Sequence, residues 1–448
     1  MLEALFQSAA GAAIFHERRR LQSMLDFEAA LARAEAQTGV IPGIAADAIS
    51  ACCKAELFDR EKLVKGAASS GNLAIPMVKQ LTALVSARSP EAGGYVHWGA
   101  TSQDVIDTGL LLQLRAFLDV LEDELIEACD AVAALTAKHR ATPMVGRTWM
   151  QQAVPITFGL KTASWLDAML RHRERLAELR PRLLVLQFGG AAGTLASMDG
   201  SGRKVALALA EELQLPLPCL PWHATRDRIA EAATFHGLIM GTLGKIARDL
   251  SLMMQNEVGE ATEPVAAGRG GSSTMPHKRN PVASAAILSS AIRVPGLVGT
   301  MLSAMVQEHE RGVGGWHAEW DTLPEICVLT LGALEKLTVV LKGIHVFPDV
   351  MRVNLYRTNG LVLAEAVSME LAKTMGHDQA HKRVEAASLR AVAEKKHLRQ
   401  IIQASPVLMK HLTAAKLDAL FDPANYTGDS QTMIDCVLQA HKAQSTRK

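Results

Sequence analysis

The stretch Gly268-Arg-Gly-Gly-Ser-Ser-Thr-Met-Pro-His-Lys-Arg-Asn-Pro281 concentrates the residue types that handle anions and protons. Gly268, Gly270 and Gly271 free the backbone to take positive φ and to approach a ligand closely. Ser272, Ser273 and Thr274 supply hydroxyls, and His277, Lys278 and Arg279 add positive charge. Asn280 and Pro281 read as the N-cap and first residue of a helix entering Val282-Ala-Ser-Ala-Ala-Ile-Leu. A pliant loop of hydroxyls and cations against a helix N-terminus suits a small anion. The plainer alternative is an ordinary polar loop capped by Asn-Pro.

Two further blocks carry candidate ligands. In Thr101-Ser-Gln-Asp-Val-Ile-Asp-Thr108 the paired hydroxyls of Thr101 and Ser102 either cap a helix, with Asp104 favouring its first turn, or bind a carboxylate. In Gly146-Arg-Thr-Trp-Met-Gln-Gln-Ala153, Thr148 offers a hydroxyl and Gln151 and Gln152 offer amides, while Arg147 either joins a site or braces the loop. Arg311, between Glu310 and Gly312, is a candidate for a further carboxylate because a guanidinium binds carboxylates bidentately. His97 and His317 flank these segments, although a lone histidine more often serves as a structural hydrogen-bonder.

Helices must position these groups. Ala, Leu, Glu, Arg and Met recur in long segments, and alternating runs of β-branched residues are scarce. Periodic apolar patterns predict helices over Phe15–Gln37, Leu110–His139, Val154–Arg180, Arg226–Glu257, Val282–Val306 and Leu323–Ile344. Between Ile229 and Met254 apolar residues fall on most faces, so that helix must be buried on several sides. A bundle that associates with copies of itself is the expectation.

Composition excludes several classes. Lys+Arg at 47 against Asp+Glu at 46 leaves a net charge of +1, so no global basic field serves nucleic acid. The longest charge-free apolar run, Leu183 to Met198, contains Gln187 and Gly189-Gly190 and falls short of a membrane span. The N-terminal residues lack the basic stretch of a signal peptide, which points to the cytoplasm. The cysteines at 52, 53, 129, 219, 327 and 436 form no ligand or disulfide pattern and are expected to be buried thiols.

The three blocks, in this order and spacing, resemble those of the fumarase/aspartase superfamily, which includes argininosuccinate and adenylosuccinate lyases, and the likeness covers essentially the whole chain. The resemblance implies an all-α fold of three helical domains with a central long-helix bundle, divided here at about 1–110, 111–358 and 359–448. It also implies a homotetramer whose sites are shared between subunits, no metal and no organic cofactor. It makes Ser272 the acid/base that exchanges a proton on the carbon beside a carboxylate, and Lys278 and Asn280 carboxylate ligands. Thr101, Ser102 and Thr148 become substrate-binding hydroxyls.

Three departures narrow the expected chemistry. Trp149 stands where the superfamily's lyases generally have the histidine that serves the leaving group or water, and an indole offers only an N–H donor. Ser69-Ser-Gly-Asn-Leu-Ala-Ile-Pro76 lacks the His-Asp pair of adenylosuccinate lyases, and Glu310–Trp320 replaces their serine-rich segment. Each loss removes a proton donor or a phosphate ligand. These segments, with Phe188-Gly-Gly-Ala-Ala-Gly-Thr194, resemble the superfamily's branch that closes 3-carboxy-cis,cis-muconate to 4-carboxymuconolactone. There the nucleophile is the substrate's own carboxylate, ionised at neutral pH with a reference pKa of about 4. The expected partner is thus a small tricarboxylate. An adenylosuccinate- or argininosuccinate-type lyase is the first rival, and a non-catalytic scaffold of the lens-crystallin kind the second.

Overall fold

The computed structural model describes residues 3–446 apart from 265–269, 272, 273 and 276. Twenty α-helices, four short 3-10 turns and two small two-stranded sheets account for the regular structure of the described residues, so the chain is all-α. Five helices exceed 22 residues: Ser102–Lys138, Phe158–Leu183, Asp227–Met253, Val282–Ala304 and Gly315–Gly343. The first has 37 residues and rises about 55 Å at 1.5 Å per residue.

Helix boundaries depart from the sequence pattern in three instructive places. The predicted start at Leu110 lies eight residues late, because the Thr101–Thr108 block itself forms the first two turns. The start at Leu323 is late by the same interval: Gly315 opens that helix, and Pro324 sits inside it. Conversely, Val154–Thr157 is not helix but the end of a strand. The helix begins at Phe158, whose N–H donates to Thr142 O, and Thr157 Oγ1 caps it by accepting from Leu160 N at 3.0 Å. β-Branched Val154 and Ile156 around Pro155 favour that extended start.

The cysteines also differ from expectation. Cys52, Cys53, Cys129 and Cys327 are buried, but Cys219 and Cys436 are exposed.

Contacts divide the chain into two compact units. The first comprises residues 1–125, 172–241 and 289–335, the second residues 126–171, 242–288 and 336–448. In the first, Leu21, Met24, Leu25, Phe27 and Leu31 of the Glu17–Gln37 helix share a core with Leu186, Phe188, Val205 and Leu209. In the second, Leu355, Val367, Leu371, Leu398 and Ile402 form a core that Val145 joins. Among the described residues one helix, Val282–Ala304, is long and apolar enough to cross a membrane by length and composition. Arg293 interrupts it midway and pairs with Glu325.

Candidate active site

In the first unit, Thr101 and Ser102 stand where a loop turns into the Ser102–Lys138 helix, and a buried carboxylate fixes that turn. Asp104 Oδ2 accepts from Thr101 N at 3.0 Å and Gly190 N at 2.9 Å. Its Oδ1 accepts from Gly189 N at 3.0 Å and lies 2.6 Å from His223 Nε2. The loop carrying Gly190 therefore presses on the one carrying Gly99. Gly190 has φ of 68°, and a Cβ added there would lie 2.8 Å from Gly99 O. Only glycine meets both conditions.

Arg311 comes to the same loops. Its Nε donates to Gln103 Oε1 at 3.1 Å, and its Nη2 to Ala191 O at 3.1 Å and Gly190 O at 3.4 Å. These acceptors are neutral amide oxygens, so the guanidinium is held in place with its charge still available to an anion. Thr101, Ser102 and Arg311 are thus gathered on one loop cluster.

A buried ionic hub anchors that cluster. Arg226 donates Nε and Nη2 to Glu319 at 2.9 and 2.5 Å, and Nη1 and Nη2 to Asp107 at 2.7 and 3.1 Å. Trp316 Nε1 and Gln103 Nε2 also donate to Asp107, at 2.9 and 3.1 Å. Burial pushes the Glu319 carboxyl upward against the pull of Arg226. The hub ties together the beginnings of the helices that start at Ser102, Asp227 and Gly315.

In the second unit, Thr148 and Gln152 lie on an antiparallel hairpin of β1, Pro143–Thr148, and β2, Gln151–Thr157. Trp149 and Met150 form its two-residue turn with φ of 51° and 63°, a primed turn that favours Asn-Gly. Large side chains with positive φ are strained, and such strain collects at functional sites. In the single chain Trp149 is 97% exposed. Gly146 sits at an irregularity of the ladder, where an added Cβ would meet Val154 O at 2.9 Å. Arg147 braces the hairpin: it binds Glu260 bidentately at 2.7 and 2.8 Å, and Asn354 Nδ2 donates to the same carboxylate at 2.8 Å. Gln152 Oε1 is buried without a hydrogen-bond partner among the described residues.

The glycine-rich loop corrects one reading. Ser272 and Ser273 lie outside the described residues, whereas Lys278 is exposed. Asn280 does not cap the following helix: its N–H donates to Gly270 O at 2.8 Å and its Nδ2 faces Gly271 O at 3.4 Å. The helix starts at Val282, and its anion is a buried glutamate of the same chain. Glu263 accepts from Ala283 N at 3.0 Å and from Ser284 N and Oγ at 2.8 Å each. That end of the helix is already neutralised, so an incoming anion must be met by the loop itself. His277 is exposed, and His317 packs 4.6 Å from the Trp320 ring.

Glu263, Asp107, Arg226 and Glu319 are not among the residues that the motifs single out as ligands. For Asp107 and Glu319 the available signal was a charged side chain inside an apolar helical face, whereas Arg226 and Glu263 lie outside helices; Arg226 and Asp107 are 119 residues apart.

Known proteins place this arrangement. A family model described as "Lyase" matches residues 7–296, and one described as "Adenylosuccinate lyase C-terminus" matches residues 360–437. The chain belongs to the fumarase/aspartase superfamily of lyases. It is 52% identical over 99% of its length to the 3-carboxy-cis,cis-muconate cycloisomerase of Pseudomonas aeruginosa, 96% of which is covered. To the protein of that name from Bradyrhizobium diazoefficiens it is 54% identical, with 98% of each chain covered. The crystal structure of the 3-carboxy-cis,cis-muconate lactonizing enzyme of Pseudomonas putida superposes with a TM-score of 0.95, at 50% identity and 99% coverage of both chains. The superfamily's all-α fold is therefore the fold of this chain.

Proposed function

We propose that this protein is a cycloisomerase that closes 3-carboxy-cis,cis-muconate to 4-carboxymuconolactone, in the protocatechuate branch of aromatic catabolism. The observation that carries the reading is identity above 50% over nearly the whole length to relatives bearing that name. Trp149 at the hairpin tip agrees with it. One substrate carboxylate adds through oxygen to a carbon–carbon double bond, and the displaced electron pair passes to the carbon beside a second carboxylate. The resulting dianion must be stabilised and then protonated on carbon. We assign the proton to Ser272 and the stabilising charge to Lys278. Asn280, Thr101, Ser102, Thr148, Gln152 and Arg311 hold the carboxylates. The nucleophile is already ionised, so position 149 has no proton to move.

Consumption of 3-carboxy-cis,cis-muconate with appearance of the lactone tests the reading directly. Release of fumarate from adenylosuccinate would support the lyase rival instead, and inertness toward both would support a scaffold. For Trp149→Phe most activity should remain, with a loss of at most about tenfold for one indole hydrogen bond. Trp149→His should lactonise no faster than the parent; a clear gain in kcat would show that the reaction wants an acid–base group there.

The assembly we propose is a cytoplasmic homotetramer whose sites combine blocks from different subunits. The three-domain division at residues 110/111 and 358/359 belongs to the same reading. Ile292, Leu302 and Val306 are exposed on and just beyond one long helix, and Trp149 and Met150 project from the hairpin. Such surfaces call for a covering partner. Dissociated protein should be inactive. Light scattering at assay concentration checks this, and a fully active monomer would defeat it.

A further inference from the structure

Glu28 lies within the Glu17–Gln37 helix with its side chain wholly buried. Its Oε1 is 2.6 Å from His97 Nδ1, and its Oε2 has no hydrogen-bond partner among the described residues. A carboxylate is not placed there for stability alone: buried ionic contacts return little net stability, and an apolar side chain would fill the space more cheaply. His97 is itself unusual. Its backbone takes φ of 58°, and it precedes Thr101 by four residues on the loop that enters the Ser102–Lys138 helix.

The charges around this imidazole are few. Glu28 faces it from one helix and Asp104 from another, and Asp104 is already occupied by three backbone N–H groups and His223. Glu35, beyond Glu28 on the same helix, is pushed up to about 9 by burial and by Glu28, so it stays protonated at neutral pH. Cys53, also near Glu28, is pushed higher still by burial. Burial pulls the His97 imidazole down, but Glu28, with Asp104 behind it, more than offsets this and leaves it above its ordinary range.

We infer that Glu28 is a positioning residue which, through its buried contact with His97, holds a positive imidazole on the loop that carries the Thr101–Ser102 hydroxyls, so that it attracts a substrate carboxylate. The substrate named here rests on the cycloisomerase reading; the Glu28–His97 contact does not. The contact does two jobs. It pins a strained loop residue by its side chain, and it supplies the negative partner without which a buried imidazole would lose its proton.

Glu28→Gln keeps the shape and a hydrogen-bond acceptor while removing the charge. KM for 3-carboxy-cis,cis-muconate, measured between about pH 5.5 and 8.5, should rise about tenfold at pH 7.5, because an imidazole that has lost its anionic partner gives up its proton sooner. The kcat should stay within about twofold. At the acid end the difference should shrink, because His97 then protonates without help. In both proteins KM rises as pH climbs through the His97 titration, and the rise should begin at lower pH in the variant. An unchanged KM, or a loss equal at every pH, overturns the inference. His97→Gln should raise KM across the range and flatten the limb, which keeps the test open if Glu28→Gln fails to fold. Carbon-13 labelling of histidine Cε1, with His97→Gln to identify the resonance, reads the same titration without substrate. A midpoint that Glu28→Gln leaves in place rejects the pair's role. A native enzyme inert toward the muconate rejects only the substrate reading.

Discussion

Ser272→Ala lowers kcat by at least about 10²-fold, the usual contribution of a positioned acid–base group, while KM changes much less. The expectation follows from the order of bond changes. Once the carboxylate oxygen has added, the new electron pair rests beside a carboxylate and the reaction stops until carbon receives a proton. Asp104 cannot supply it, because its oxygens are filled by Thr101, Gly189, Gly190 and His223. Glu263 is bound to the first turn of the Val282–Ala304 helix, and Glu260 to Arg147 and Asn354. Each of these acids is spent on structure. Steady-state kinetics with the pure tricarboxylate, backed by substrate binding to the inactive variant, decides the matter. A variant with near-parental kcat would put the donor elsewhere.

Arg226→Met should lower the stability of the folded chain by about 3–5 kcal/mol near neutral pH, because it strands two buried carboxylates. Asp107 and Glu319 would each lose bonds to the guanidinium, and Trp316 and Gln103 would be left holding Asp107 alone. The pH dependence has a definite sign. Burial already pushes Glu319 upward, and removing Arg226 pushes it further. An acid whose folded pKa exceeds its unfolded one favours the folded state only while protonated. The variant's deficit is therefore largest above that raised pKa and shrinks as pH falls toward the ordinary carboxylate range. Thermal unfolding at about pH 5 and pH 8 measures it. A deficit that grows on acidification would contradict the hub as described.

How far the sequence could reach depended on the range of each interaction. Periodicity located the long helices because a 3.6-residue repeat is local, and Gly146-Arg-Thr-Trp-Met was visible as a block. Its conformation was not, since Trp149 and Met150 take positive φ in a turn that such residues seldom occupy. Asn280-Pro281 looked like a cap, but the cap came from Glu263, 20 residues earlier than its Ala283 partner. Arg147 could brace or bind, and only Glu260, 113 residues away, decided for bracing. Arg226 carried no local signal at all. Its partners are brought to it by the packing of helices whose order in space the sequence pattern does not state.

The three-part make-up of the first unit has a bearing on how the protein is synthesised. Its residues 1–125 are complete long before residues 289–335 exist, and the core around Leu21, Met24 and Phe27 is finished by Leu186, Val205 and Leu209. At about 5–20 residues per second, the interval between Leu125 and Leu209 lasts roughly 4–17 s. Through that time the growing chain shows the ribosome's surroundings an unfilled apolar face. Newly made protein should therefore engage holding chaperones before Leu209 emerges and begin to leave them afterwards. A fragment of residues 1–125 made alone should aggregate unless residues 172–335 are produced beside it.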